Sequence, residues 1–192
     1  YEITTRLVGS EMCIRDREKN YRYACEVFSK VPVKPGKKKR VGITGEIYMK
    51  YSKLGNDDIE SFLLRQGMEP YSGGFVNYCL YLVDTERYKA EKYQHNPIMA
   101  KACAFVLHRL CEAQKHLLTV IGETDRFQTD LPFPELKEKV QGILAEGCNT
   151  GDGWLIAAEV IQYVEKGCGS VLILHPFGCL VSHVLSLIHI SE

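Results

Sequence analysis

The stretch Gly169-Ser-Val-Leu-Ile-Leu-His-Pro-Phe-Gly-Cys179 decides how the chain folds. Its four consecutive apolar residues, Val171 to Leu174, show no polar alternation, and the run is too short for a helix. This pattern is typical of a strand covered on both faces, as in the parallel sheets of α/β proteins. The following His175-Pro-Phe-Gly178 ends the strand, because proline cannot continue a central ladder and glycine permits a sharp turn. Cys179 is therefore expected at the C-terminal end of a buried strand, where ligands bind in open α/β sheets.

A second strand is predicted at Val41 to Thr44, where a short apolar segment precedes a glycine. A helix is expected from Ile59 to Gly67, with Asp57 and Glu60 at the spacing of a capping box. Strand, loop and helix make half of a βαβ unit, and the loop is long enough to hold a ligand.

Two loops carry candidate binding groups. In the first, Gly45, Glu46 and Asn56 are the candidate cofactor-binding residues, with Tyr48 and Lys50 beside them. The alternative is that Glu46 and Lys50 are surface charges and that Asn56 caps a helix. The second loop, Cys148-Asn-Thr-Gly-Asp-Gly153, opens a helix and could cradle an anion through free N–H groups. It lacks the G-x-G-x-x-G pattern, which disfavours a dinucleotide site.

Apolar residues at helical spacing predict four further helices. They run from Glu18 to Lys30, from Asn96-Pro97 to beyond Leu118, from Pro134 to Gly147, and from Trp154 to Lys166. The last of these leads directly into the strand at Gly169–Leu174, an α/β step that supports a parallel sheet. We therefore predict an α/β fold, a Rossmann-like parallel sheet flanked by helices and incomplete within this chain. The edge left unpaired beside that strand is a predicted aggregation site.

Composition limits the classes of function. The 192 residues are 45% hydrophobic and 25% charged, as in a globular protein of one domain or two small lobes. The 24 basic and 24 acidic residues give a formal net charge of zero, so neither a nucleic acid nor a membrane is expected as a partner. No apolar run is long enough to cross a bilayer, and the segment after Tyr1 is not of the signal-peptide type. A cytoplasmic location follows as the expectation.

Eight cysteines occur, and none forms a C-x-x-C pair, which disfavours a zinc ribbon or a thioredoxin-like motif. A cytoplasmic chain of this size is expected to keep its cysteines reduced, mostly as small buried side chains. One or two of them are candidate metal ligands. No Ser-His-Asp order, Walker loop or carboxylate pair supports a hydrolase or a kinase.

The two ends of the chain, Leu7–Arg17 and Leu185–Glu192, resemble translated sequencing-adapter sequence. On that resemblance, residues 1–17 and 185–192 are artefacts, and residues 18–184 are an internal fragment of a longer protein. The alternative is that both are ordinary terminal segments.

Four motifs, in their order along the chain, resemble those of the 2-hydroxyacyl-CoA dehydratase activase-related proteins. These proteins are relatives of the D-component of 2-hydroxyglutaryl-CoA dehydratase and of benzoyl-CoA reductase subunits. The motifs are Val41-Gly-Ile-Thr-Gly-Glu-Ile-Tyr48, Asn56 with Gly67, Gly151-Asp-Gly-Trp154 with Glu159, and Pro176-Phe-Gly-Cys-Leu180 with His183. The family's Cys-Leu-Pro-Asn-His stands here as Cys179-Leu-Val-Ser-His183, so that Val181 and Ser182 depart from it.

The resemblance implies a Rossmann-like lobe of a protein of anaerobic metabolism. In these relatives, cysteines near strand ends hold a 4Fe–4S cluster that passes low-potential electrons to a CoA thioester. By position, Cys179 resembles one of those ligands, and thiolates suit such clusters. A cluster needs about four ligands. The others would come from the rest of the parent polypeptide or from a partner dehydratase subunit, and the fragment alone is expected to be inactive.

Two other functions stay open. In the first, the chain is a non-catalytic interaction lobe of a large activase-type protein, and Cys179 is a packed thiol. In the second, His175, Cys179 and His183 hold a single metal ion, although Pro176 and Gly178 disfavour the continuous helix that would align them.

Overall fold

The computed structural model describes residues 11–33, 36–124, 126–181 and 183. Three parallel strands form one sheet, and helices pack around it, which confirms the predicted α/β class. The elements in chain order are α1 (Glu11–Ser29), β1 (Arg40–Gly45), α2 (Ile47–Tyr51), α3 (Ile59–Arg65), β2 (Glu69–Ser72), α4 (Phe75–Lys92), α5 (Pro97–Gly122), α6 (Phe133–Glu138), α7 (Gly153–Glu165) and β3 (Ser170–Leu174). Residues 1–10 and 185–192, within the two adapter-like segments, lie outside the described residues.

The sheet has the order β2-β1-β3, so β1 is the central strand. Gly42 pairs with Tyr71 on one side and with Val171 on the other. Ile43 of β1 has no exposed surface. β3 exists where the sequence predicts it, but the expectation that both of its faces are covered is wrong. It is an edge strand among the described residues, and its apolar side chains are half-buried.

α7 lies against the sheet because β1 has glycine at the point of contact. A Cβ atom at Gly42 would lie 2.6 Å from Cδ2 of Tyr163, which is itself fully buried. The main hydrophobic core lies where α7 meets α4 and α6, and Trp154, Tyr81 and Leu136 are among its members. The apolar side of α7 therefore contributes to this core and also covers β1.

Most predicted helices are present, but the sequence signals did not predict all of their ends correctly. α5 begins as predicted, since the Asn96 side chain accepts a hydrogen bond from the Met99 N–H at 3.1 Å. α6 ends at Glu138 and not at Gly147, with Lys139 as its C-cap, and the chain continues in turns in which Gly142 adopts a φ of +85°. α1 begins at Glu11, earlier than the predicted Glu18.

The predicted capping box of α3 is wrong. The N-cap residue is Asp58, which has a φ of 49° and makes no side-chain capping bond. The first N–H of the helix, that of Ile59, instead donates to the side-chain oxygen of Asn56 at 3.4 Å. None of the helices within the described ranges is long and apolar enough to cross a membrane.

The backbone at Gly45 provides a test of the fold. Its φ is +131°, and a Cβ atom there would lie 1.9 Å from the Leu174 carbonyl oxygen in β3. We expect Gly45→Ala to lower the free energy of unfolding by roughly 3 kcal/mol, because it combines backbone strain with a clash between two paired strands. Gly36→Ala is the matched control, since Gly36 has a φ of +148° and no atom within 4 Å of its Cβ position. Equal urea midpoints for the two variants would contradict the β1–β3 packing.

Candidate functional site

The loops that follow β1 and β3 meet at the C-terminal edge of the sheet. The Glu46 N–H donates to the Leu174 carbonyl oxygen at 2.8 Å, which ties the two loops together. The chain runs from β1 to β2 on one side and then to β3 on the other. The crevice between β1 and β3 is therefore the topological switch point, the position at which open α/β sheets bind ligands.

A buried ion pair lies at this edge. The Lys50 ammonium group of α2 donates to both carboxylate oxygens of Glu159 in α7, at 2.7 and 2.9 Å. The two side chains are only 4% and 7% exposed. The Thr44 hydroxyl at the end of β1 also donates to Glu159, at 2.5 Å. The ion pair thus joins β1, α2 and α7, with both charges and both carboxylate oxygens satisfied.

Two tyrosines hold the loop between β2 and α4 beside the ion pair. The Gly73 N–H donates to the Tyr163 hydroxyl at 2.7 Å, and the Tyr51 hydroxyl donates to the Gly73 carbonyl oxygen at 2.7 Å. Burial raises the pKa of both tyrosines, and the Glu159 charge adds to this effect, so their hydroxyls stay protonated. A Cβ atom at Gly73 would lie 2.8 Å from the Tyr163 hydroxyl, which leaves room for glycine only.

The first N–H groups of α2 are occupied by carboxylates of the chain itself. Glu46 accepts from the N–H groups of Tyr48 and Met49 at 3.1 and 3.0 Å. Asp152 accepts from the Ile47 N–H. A phosphate group at a helix N-terminus would need such donors. The loop after β1 is therefore not a phosphate cradle, and Glu46 is the N-cap of α2. A role for Gly45 and Glu46 in binding a cofactor stays a prediction.

Asp152 is a carboxyl group at this edge whose pKa is raised. Its side chain is buried at the start of α7, and burial raises its pKa to about 6, with the negative charge of Glu46 adding to the rise. The carboxyl group of Asp152 therefore exchanges its proton just below neutral pH.

Some N–H groups at the start of α7 are already bonded within the chain. The N–H groups of Gly153, Trp154 and Leu155 donate to carbonyl oxygens within the same turn, at 3.2, 2.8 and 3.0 Å. The expectation of free N–H groups in the Cys148–Gly153 loop is wrong at Gly153, because the turn satisfies this group itself, while Trp154 and Leu155 belong to the helix that follows.

The Asn56 side chain forms hydrogen bonds with backbone groups. Its amide nitrogen donates to the Met49 carbonyl oxygen at 2.8 Å, and its oxygen accepts from Ile59. These contacts match the alternative in which Asn56 caps a helix. Lys50, by contrast, is not a surface charge, since the Glu159 pair buries it.

Cys179 lies in the turn that follows β3, as the sequence predicts, and it is half-buried. Its N–H donates to the Pro176 carbonyl oxygen at 3.2 Å. Phe177 and Leu180 on either side are 104% and 77% exposed. A Cβ atom at Gly151 would lie 3.4 Å from Val181, so this turn lies beside the loop that precedes α7.

The described residues do not form a complete metal site of the kind that the sequence predicts. Among the residues that the structure describes, no group of three His, Cys, Asp or Glu side chains could hold a metal ion. The rings of His175 and His183 pack edge to face at 5.2 Å, but Cys179 does not join them in a three-ligand arrangement. Cys179 can therefore be only one member of a larger ligand set.

Sequence reasoning missed the pairing of Lys50 with Glu159. A signal was present, since Glu159 is the one charged residue in the apolar run Trp154 to Val164. An acidic residue buried in such a helix needs a cationic partner. Nothing local to the sequence identifies that partner, which is 109 positions away.

Comparison with protein families, with curated proteins and with solved structures finds no match to this chain.

Removal of one partner tests the ion pair. Lys50→Met leaves the Glu159 charge buried without its counter-charge, and we expect a loss of roughly 3–5 kcal/mol in the free energy of unfolding. The double variant Lys50→Met/Glu159→Gln removes both charges and should be more stable than Lys50→Met alone. Lys53→Met is the control, because the Lys53 side chain is 72% exposed in its pair with Asp58. Additive effects in the double variant would contradict the pairing.

The raised pKa of Asp152 predicts a pH dependence of stability. Protonated Asp152 stabilises the fold fully below its ordinary pKa of 3.8, and this contribution is lost as the pH rises through about 6. Asp152→Asn should therefore flatten the pH profile of the urea midpoint between pH 4 and 7. Asp57→Asn, at an exposed position, should leave the profile unchanged. Profiles of equal slope in wild type and Asp152→Asn would refute the assignment.

Proposed function

We propose that the chain is a lobe of a 2-hydroxyacyl-CoA dehydratase or activase-related protein and that it contributes Cys179 as one thiolate ligand of an iron–sulfur cluster. The proposal rests on the resemblance of four sequence motifs together with their arrangement in space. The supporting observation is that motifs far apart in the chain converge on one edge of the sheet.

The convergence can be followed contact by contact. Thr44 and Glu159, from the first and third motifs, share a hydrogen bond of 2.5 Å. Glu46 is bonded to the end of β3, directly before the fourth motif. The loop of the third motif lies against Val181, two residues after Cys179. Such clustering at the carboxyl ends of parallel strands is typical of a ligand site.

The described residues supply one thiol at this edge and not a complete cluster site. A 4Fe–4S cluster takes about four ligands, and no group of three potential ligands is present in the described part of the chain. The proposal therefore assigns the remaining ligands to the rest of the parent polypeptide or to a partner dehydratase subunit. When bound, such a cluster would supply low-potential electrons for the chemistry of an acyl-CoA thioester.

The other residues of the edge position the thiol. The Lys50–Glu159 pair and the two tyrosines on Gly73 hold the loops after β1 and β2, so Cys179 is presented next to a fixed surface. Carboxylates already fill the N-terminus of α2, so the phosphates of a CoA substrate would bind elsewhere. None of the seven cysteines whose side chains the structure describes forms a disulfide, which accords with a cytoplasmic location.

Anaerobic reconstitution of the full-length protein with iron and sulfide tests the proposal. We expect the absorption of an iron–sulfur cluster and an EPR signal after reduction, and we expect Cys179→Ser to lose most of both. Cys79→Ser is the matched control, since Cys79 is an exposed thiol on α4. A colourless, EPR-silent wild type, or a Cys179→Ser variant with an unchanged spectrum, would refute the assignment.

The second candidate function is a non-catalytic interaction lobe of an activase-type protein. The exposed Phe177 and Leu180 favour it, because large apolar side chains in a tight turn are typical of contact sites. In that case Cys179→Ser leaves the full-length protein fully active, while Phe177→Ser disrupts its assembly in size-exclusion chromatography.

A further inference from the structure

A small cavity lies between α4, α5 and the loop that precedes α6. It is about 190 Å³ in volume. Apolar side chains of α5 line it at Leu117, Leu118 and Ile121, together with the amide side chains of Asn77 in α4 and Gln114 in α5. A cavity of about 150 Å³ holds a benzene-sized molecule, so this one has room for a ligand of roughly six to eight non-hydrogen atoms.

A chain of hydrogen bonds fixes the orientation of the two amides. The Phe133 N–H donates to the side-chain oxygen of Gln114 at 2.9 Å, and the Gln114 nitrogen donates to the Asn77 oxygen at 2.6 Å. Because a backbone N–H can only donate, neither amide can be reversed. The nitrogen of Asn77 is left as a donor without a partner among the described residues, although Asn77 is only 3% exposed. A buried donor in this state requires an acceptor from elsewhere.

The N-terminus of α4 adds further donors beside Asn77. Its N-cap residue is Gly74, and no side chain caps the helix. The N–H groups of Phe75 and Val76 donate to no residue that the structure describes, as is usual in the first turn of a helix. Gly74 and Val76 line the cavity together with Asn77. A ligand that satisfies these groups must therefore carry a hydrogen-bond acceptor.

Asp130 in the cavity wall decides the charge of that ligand. One carboxylate oxygen accepts from the Gly74 N–H at 2.8 Å, and the other accepts from Tyr71 and Gln162 at 3.0 and 2.9 Å. The Lys166 ammonium group lies 3.5 Å from this second oxygen, so the acceptor positions of Asp130 are filled. A ligand carboxylate would lie next to the Asp130 charge, and like charges in contact are costly. A neutral carbonyl oxygen accepts the same hydrogen bonds without that repulsion.

We propose that this cavity binds a small neutral carbonyl compound. The carbonyl oxygen accepts from the Asn77 amide nitrogen, and a short apolar chain packs against the leucines and the isoleucine of α5. The proposal is independent of the iron–sulfur assignment, because neither Cys179 nor the Lys50–Glu159 pair lines the cavity. Either proposal can therefore fail without the other.

An NMR titration of the full 192-residue chain with methyl isopropyl ketone tests the site. We expect saturable shifts of the Asn77 side-chain NH₂ and of the Val76 N–H, with a Kd of roughly 1–10 mM for a ligand of about six non-hydrogen atoms. Isobutyrate is the matched probe, since it has the same branched chain and size but carries a negative charge. It should bind at least tenfold more weakly.

Two variants separate the polar group from the cavity itself. Asn77→Asp keeps the oxygen that accepts from Gln114 but replaces the free donor with an acceptor, and it should weaken ketone binding at least tenfold. Leu118→Trp fills the cavity and should abolish binding, and it carries the test alone if Asn77→Asp does not fold. Leu110→Trp is the matched control on α5, because Leu110 is 40% exposed and does not line the cavity, and it should bind as the wild type does.

Three results would overturn the proposal. The first is the absence of saturable shifts in the wild type at roughly 50 mM ketone, several times the expected Kd. The second is binding of isobutyrate that equals or exceeds that of the ketone, which would refute the choice of a neutral ligand. The third is ketone binding that Leu118→Trp leaves unchanged, which would place the ligand outside the cavity.

Discussion

The buried ion pair between Lys50 and Glu159 organises the C-terminal edge of the sheet. Its two side chains come from α2 and α7, and Thr44 adds a hydrogen bond from the central strand. Removing two charges from water costs nearly as much as their attraction returns, so the pair adds little net stability. It instead penalises any arrangement that separates the charges. α7 is thereby held in one geometry against β1 and α2, which lie far before it in sequence, and the Gly73 loop that the two tyrosines bind lies beside them.

This constraint shapes what the edge can do. Glu46 and Asp152 already occupy the N-terminus of α2, and the N–H groups of Gly153, Trp154 and Leu155 are bonded within the chain. These donors are therefore satisfied by the chain itself. Cys179 is half-buried in the turn after β3, two residues beyond the exposed Phe177. Under the proposed function, the thiol would lie on a rigid base, and a cluster would need further ligands, because no group of three potential ligands is present among the described residues.

Local patterns in the sequence predicted the elements well and their relations poorly. The apolar run of β3 and the Asn96-Pro97 start of α5 are local signals, and both gave correct elements. The edge position of β3 was missed, because four apolar residues look alike in a central strand and in a half-buried edge strand. Likewise, α6 ends at Glu138 although the apolar spacing continues toward Gly147, and spacing does not reveal the turns that follow the helix. The Lys50–Glu159 pair was unpredictable for the same reason, since only the tertiary fold brings the two side chains together.

The central claim is that this ion pair and the tyrosines beside it fix the edge as part of the cooperative core. Hydrogen exchange of the Gly73 N–H, measured by NMR, tests it most directly, because this group donates to the buried Tyr163 hydroxyl beside the pair. We expect the Gly73 N–H to exchange only through global unfolding, at the same free energy as the N–H of Ile43 in β1. Exchange as fast as that of an exposed loop residue such as Leu54 would contradict it.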